Sequence, residues 1–148
     1  NANTIPVYRD TRILVTIRST VEKLQEGASI IIFPEHDEPY NHILSGFQEK
    51  FIDVARIYYR KTGKELAFVP MYVTPELKQI HLGPSIRFCA DSPIQDERQR
   101  ITSHLMSEIT ELACALPRHT VIPYQNLPKR LYPTNLSDEA NTHEETRR

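Results

Sequence analysis

Three short segments carry side chains able to do chemistry: Tyr8-Arg9-Asp10-Thr11-Arg12, Pro34-Glu35-His36-Asp37-Glu38, and the Val69-Pro70-Met71 turn. Arg9 and Arg12 stand three positions apart, and a guanidinium offers a bidentate fork that suits phosphate or carboxylate. The plain alternative is two solvated arginines at a loop and helix start. Glu35 directly follows an apolar run, so a rigid support would hold its carboxylate where it can accept hydrogen bonds from a hydroxylated ligand or orient a base. The alternative there is a glutamate that merely caps a loop. His36, Asp37, Glu38 and His42 form the one dense group of metal-ligand types. They lack a helical His-x-x-x-His spacing, so a solvated polar loop is the default and no metal is expected. The chain has no G-x-S-x-G elbow, and its four glycines are too scattered to cradle a phosphate.

The elements that would position these segments alternate in type. Thr4 to Tyr8 reads as a short strand, and Ile13, Ile17, Val21 and Leu24 recur at helical spacing up to a stop at Gly27. Ser19 and Glu22 match a capping box, which would start or break that helix. Ser29 to Phe33 is β-branched and aromatic, as in a strand buried on both faces of a parallel sheet. Leu44, Phe47, Phe51, Val54, Ala55 and Tyr58 mark one face of a helix closed by Gly63. Leu66 to Val73 reads as a strand, and Gln79–Leu82 with Ser85–Cys89 as a hairpin across Gly83-Pro84. Asp91-Ser92-Pro93 opens a last helix carried by Ile101, Leu105, Ile109, Leu112 and Leu116 to Pro117. This order predicts an α/β fold, a mostly parallel sheet with flanking helices joined by right-handed crossovers. Residues 1–117 would form the domain and 118–148 an extended, partly disordered tail rich in proline and polar residues.

Bulk properties narrow the classes. A chain of 148 residues with a formal net charge of -1 has room for one core and no global field to recruit nucleic acid. Cys89 and Cys114 form no C-x-x-C pair, which argues for a reducing, cytoplasmic setting rather than a disulfide scaffold. No apolar run approaches the ~20 residues that a membrane span needs. The expected membrane contact is therefore peripheral, on the cytoplasmic face, through Tyr58-Tyr59-Arg60-Lys61 and Pro128-Lys129-Arg130-Leu131-Tyr132 if these are more than solvated surface. The chain opens Asn1-Ala2-Asn3 and runs at once into Ile5-Pro6-Val7-Tyr8, which suggests a domain incomplete at its N-terminus.

Taken in order, Ile5-Pro6-Val7-Tyr8-Arg9, Ile30-Ile31-Ile32-Phe33-Pro34-Glu35 and Phe68-Val69-Pro70-Met71-Tyr72-Val73 resemble three sequence blocks of the lysophospholipid and glycerol-phosphate acyltransferase superfamily. Phe47 stands at the family's distance from Glu35, and Ile86 to Phe88 resembles the strand that follows. The resemblance covers Thr4 to Phe88. It implies a glycerolipid-acyltransferase-like fold that moves an acyl chain from acyl-CoA or acyl-carrier protein to a glycerol-phosphate or lysophospholipid hydroxyl, with no other cofactor. It further implies that Arg9, helped by Arg12, binds the acceptor's phosphate. Glu35 and Pro34 would face the glycerol hydroxyls, and Pro70 would shape the channel wall.

Two departures accompany the resemblance. His36-Asp37-Glu38 replaces the family's Gly-Thr-Arg, so an acid stands where an arginine would attract phosphate. None of the six histidines has aspartate five positions on, so the family's His-x-x-x-x-Asp base is not in this sequence. The implication is that this chain alone does not turn over. The other reading is a catalytically degenerate fold that binds lipid or a protein partner.

Overall fold

The computed structural model describes residues 4–5, 13–36, 44, 46–117 and 119. Its elements are helix α1 (Ile13–Gln25), a 3-10 turn (Glu49–Ile52) running into α2 (Asp53–Thr62), four short strands, and α3 (Ile94–Cys114). The strands are β1 (Ala67–Phe68), β2 (Met71–Thr74), β3 (Gln79–Leu82) and β4 (Ile86–Arg87).

Local chemistry sets the helix ends. α1 runs straight through Ser19 and buries Val21 completely. Gly27 takes φ +86°, where an L side chain is strained, while Ala28 N–H bonds Lys23 O and Gly27 N–H bonds Leu24 O. That pair of bonds is the Schellman stop, which satisfies the orphan carbonyls of the last turn. Gly63 ends α2 in the same left-handed region, at φ +69°. Pro93 stands just outside α3, where its missing N–H costs nothing.

The expected parallel sheet is not formed: the described residues hold two two-stranded antiparallel sheets, β1–β4 and β2–β3, with three α-helices. Parallel pairing needs a long crossover, whereas β2 and β3 pair through the Pro75–Lys78 loop at small closure cost. Residues 29–33, read as a doubly buried strand, lie in no strand. Ile31 is 65% and Phe33 81% exposed, so the apolar run is real but its burial is not. Thr4 and Ile5 lie in no strand, and the rest of that expected strand falls outside the described residues.

The Gly83-Pro84 turn is also revised. β3 turns back onto β2 and β4 onto β1, so the four strands make one long hairpin with a flaw in the middle. Phe68 pairs with Ile86 and Met71 with Leu82, leaving Val69-Pro70 opposite Gly83-Pro84-Ser85. One extra residue on the second arm is a β-bulge, and prolines on both arms remove ladder donors there. Gly83 N–H still reaches Pro70 O at 3.0 Å.

α3 spans both sides of the bulge. Toward its N-terminal half, Phe47, Ile52, Ala55, Phe88, Ile101 and Leu105 form the main core, with Phe51 and Phe68 edge-to-face at 5.8 Å. Toward its C-terminal end, Tyr72 and Ala113 centre a smaller cluster with Ile109, Leu112 and Leu116. Glu97, only 1% exposed, ties α3 to the segment leaving β4: its carboxylate accepts from Cys89 N–H at 2.7 Å and from Arg100. Arg100 also donates to Arg87 O at 2.6 Å.

No helix among the described residues is long and apolar enough to cross a membrane.

Candidate functional site

Glu35 is held by backbone, not by a buried strand. Pro34 O accepts from Gln48 N–H at 2.8 Å, and His36 N–H donates to Gly46 O at 2.7 Å, around an antiparallel bridge between Glu35 and Phe47. Phe47 is buried in the main core, so the bridge anchors the half-buried Glu35 to the body of the fold. This also explains why α2 starts later than the apolar spacing suggests. Phe47 has the helical interval to Phe51, but its backbone is taken by Glu35.

Tyr72 lies within the electrostatic reach of Glu35. The phenol is held above its ordinary range, mainly by burial, then by the electrostatic influence of Cys114 and Glu35. Its hydroxyl lies 2.9 Å from His119 Nε2, and the two rings meet edge-on at 5.7 Å. His119 Nδ1 is 2.7 Å from Pro117 O. A carbonyl only accepts, so Nδ1 carries the hydrogen and, in the neutral ring, Nε2 accepts from the Tyr72 hydroxyl. His119 is 2% exposed. With both nitrogens engaged, it positions the segment after α3 against β2 rather than meeting solvent.

The residues named from sequence fall out unevenly. Glu35 is brought towards the Pro70-Met71-Tyr72 stretch, and Pro34 is half-buried beside it. Pro70 is fully buried, where its ring lies against Gly83: a Cβ on Gly83 would stand 2.9 Å from Pro70 Cγ. There it packs the bulge. Arg9 and Arg12 lie outside the described residues, as do Asp37, Glu38, His42 and Pro128–Tyr132. His36 is exposed. Among the described residues, no three His, Cys, Asp or Glu side chains group as a metal site would require.

Tyr72 and His119 were not legible as a pair. Tyr72 reads as one more apolar position of a strand, and His119 follows Pro117 in what reads as tail. The arrangement can offer a partly exposed carboxylate and, within its electrostatic reach, a buried phenol–imidazole pair. It suits holding a hydroxylated ligand, and its buried imidazole, His119, is not open to solvent.

Comparison of the chain with family models, curated proteins and solved structures returned no match.

Proposed function

We propose that this chain is the acceptor-binding part of an acyltransferase that moves an acyl chain from acyl-CoA or acyl-carrier protein to a glycerol-phosphate or lysophospholipid hydroxyl. The observation that supports it is the backbone bridge from Glu35 to Phe47, which anchors the carboxylate on the main core at the interval the resemblance names, with Glu35 also acting electrostatically on Tyr72 of a second block. Glu35 would accept hydrogen bonds from the acceptor's hydroxyls, and Arg9 and Arg12 would attract its phosphate. Proton abstraction needs an oriented base, worth ~100- to 10,000-fold, and His119 is too buried and too fully bonded to act as one. Transfer on this reading draws its His–Asp pair from outside these 148 residues. Peripheral contact with the cytoplasmic membrane face belongs to the same reading.

The acidic His36-Asp37-Glu38 segment favours a second reading, a non-catalytic fold that binds lipid or a protein partner. One titration tests both. The full chain is titrated with glycerol 3-phosphate and with a short-chain lysophosphatidic acid, beside Glu35→Gln and Arg9→Gln variants. Acyl transfer is assayed in parallel on the longest natural form that contains the chain. Binding weakened about tenfold or more in both variants supports acceptor recognition, since each lost charge-assisted bond is worth roughly that much. Binding without any transfer selects the non-catalytic reading, and absence of both overturns the proposal.

A further inference from the structure

α2 turns one charged face toward the start of α3. Asp53, Arg56, Ile57 and Arg60 recur at helical intervals, so they share that face. With Ile94 and Arg98 of α3 they line an open cleft of about 280 Å³. Arg98 is already fixed: its Nε donates to Asp53 Oδ1 at 2.9 Å and its Nη2 to Asp53 Oδ2 at 2.6 Å. Arg56 and Arg60 are exposed, and neither has an ion-pair partner among the described residues. Like charges one helical turn apart repel, so an empty cleft holds two guanidiniums at a cost that a shared anion relieves.

We propose that the cleft between α2 and α3 is an anion site for a phosphate monoester, gripped by Arg56 and Arg60, with the ester's carbon chain lying against Ile57 and Ile94. Three guanidiniums against one carboxylate leave two positive charges on the lining, matching a phosphate monoester dianion. Arg98 is the arginine balanced by acids, held by Asp53 and acted on by Glu49, whereas Arg56 and Arg60 have no ion-pair partner among the described residues. Guanidinium forks suit phosphate oxygens, and the two isoleucines give the cleft an apolar wall that inorganic phosphate would not use. The volume is at the small end of ligand sites, which suits a phosphate with a few carbons rather than a nucleotide. The proposal is independent of the acyl-transfer reading, because it uses none of Arg9, Arg12, Glu35 or Tyr72.

The test is calorimetric titration of the full chain with n-butyl phosphate and with inorganic phosphate at low salt, followed by co-sedimentation with phosphatidylcholine vesicles containing phosphatidic acid. The expected result is saturable binding of butyl phosphate, several-fold tighter than inorganic phosphate. It should weaken about tenfold or more in Arg56→Gln/Arg60→Gln and fall as salt rises. Both arginines are exposed, so the variant should fold, and an unchanged circular dichroism melt checks this. Lys64→Gln, an exposed cation after α2, serves as the charge control and should change nothing. Vesicle binding lost in the arginine variant assigns the site to a lipid headgroup, and binding of butyl phosphate alone assigns it to a soluble ester. No saturable binding of butyl phosphate, or equal loss in the arginine variant and the lysine control, overturns the proposal.

Discussion

Tyr72 and His119 are 47 positions apart in the chain and meet in a buried hydrogen bond of 2.9 Å. The bond fastens the segment after α3 to β2. Because Nδ1 is committed to Pro117 O, removal of the Tyr72 hydroxyl leaves Nε2 buried without a donor. Tyr72→Phe should therefore destabilise the chain by about 1–3 kcal/mol, the cost of an unsatisfied buried polar atom. Urea unfolding of Tyr72→Phe, His119→Leu and the double variant reads the coupling. Strictly additive losses would show that the pair contributes nothing as a pair.

Burial also gives that phenol a consequence at high pH. Its folded pKa is raised, so the folded state keeps the proton longer than the unfolded chain. Stability is complete below the unfolded value of about 10 and falls as pH rises from there toward the folded value. Tyr72→Phe should flatten the alkaline limb of a plot of melting temperature against pH.

Glu97 works in the opposite sense. The Arg100 hydrogen bond, opposed by burial and helped by Cys89 N–H, holds its carboxyl below the ordinary range. A depressed carboxyl contributes stability above its unfolded pKa, near 4.3, and loses it as pH falls through the folded value. Glu97→Gln keeps an acceptor for Cys89 but removes the charge facing Arg100, whose side chain is 44% exposed and can be rehydrated. The loss at neutral pH should be about 1–3 kcal/mol, shrinking as the titration approaches pH 3. A loss that stayed constant across that range would mean the carboxylate's charge is irrelevant.

Gly83 faces the ring of Pro70 so closely that a methyl group does not fit. A proline ring has little freedom to yield, so Gly83→Ala should cost about 1–3 kcal/mol through overpacking. Pro70→Ala made alongside removes the colliding carbon. The double variant should then be more stable than the sum of the single losses allows, and a thermal or urea melt of all four proteins decides it.

Thr102 buries a hydroxyl that has no hydrogen-bond partner among the described residues. Thr102→Val exchanges that oxygen for a methyl group of nearly the same shape. It should be neutral to stabilising, up to about 1 kcal/mol, despite valine's χ1 restriction in a helix. A clear destabilisation in a chemical melt would mean the hydroxyl is satisfied in solution.

How much of this was legible in the sequence depended on distance along the chain. Gly27, Gly63 and Pro93 act on their own neighbours, and the helix boundaries they imply are the ones observed. Pairing of strands is a contest between distant segments, and there the pattern misled. An apolar run such as Ser29–Phe33 has the same letters whether it is covered or bare, and here it is largely bare. Phe47 kept its helical interval to Phe51 yet was drawn into a bridge by Glu35, a contact no periodicity encodes. In the candidate site, Glu35 stood out because an apolar strand-like run leads into it. His119 did not, because a lone histidine after a proline carries no signal until the fold brings Tyr72 to it. The arginine face of α2 has a regular interval but becomes a cleft only once α3 closes its far side.

The bulge between Val69-Pro70 and Gly83-Ser85 also has a kinetic meaning. A continuous ladder would force the hairpin to open as one unit. Here the ladder is interrupted where one proline on each arm lacks an amide donor, and Gly83 N–H to Pro70 O is the bond that remains. The two halves answer to different parts of α3. The outer half, β2 and β3, rests on a small apolar cluster and the buried Tyr72–His119 hydrogen bond. The inner half is built into the main core. The outer half therefore belongs to a lower rung of opening free energy than the inner one, and deuterium should replace the amide protons of Met71–Thr74 and Gln79–Leu82 while Phe88 and the first turns of α3 still keep theirs.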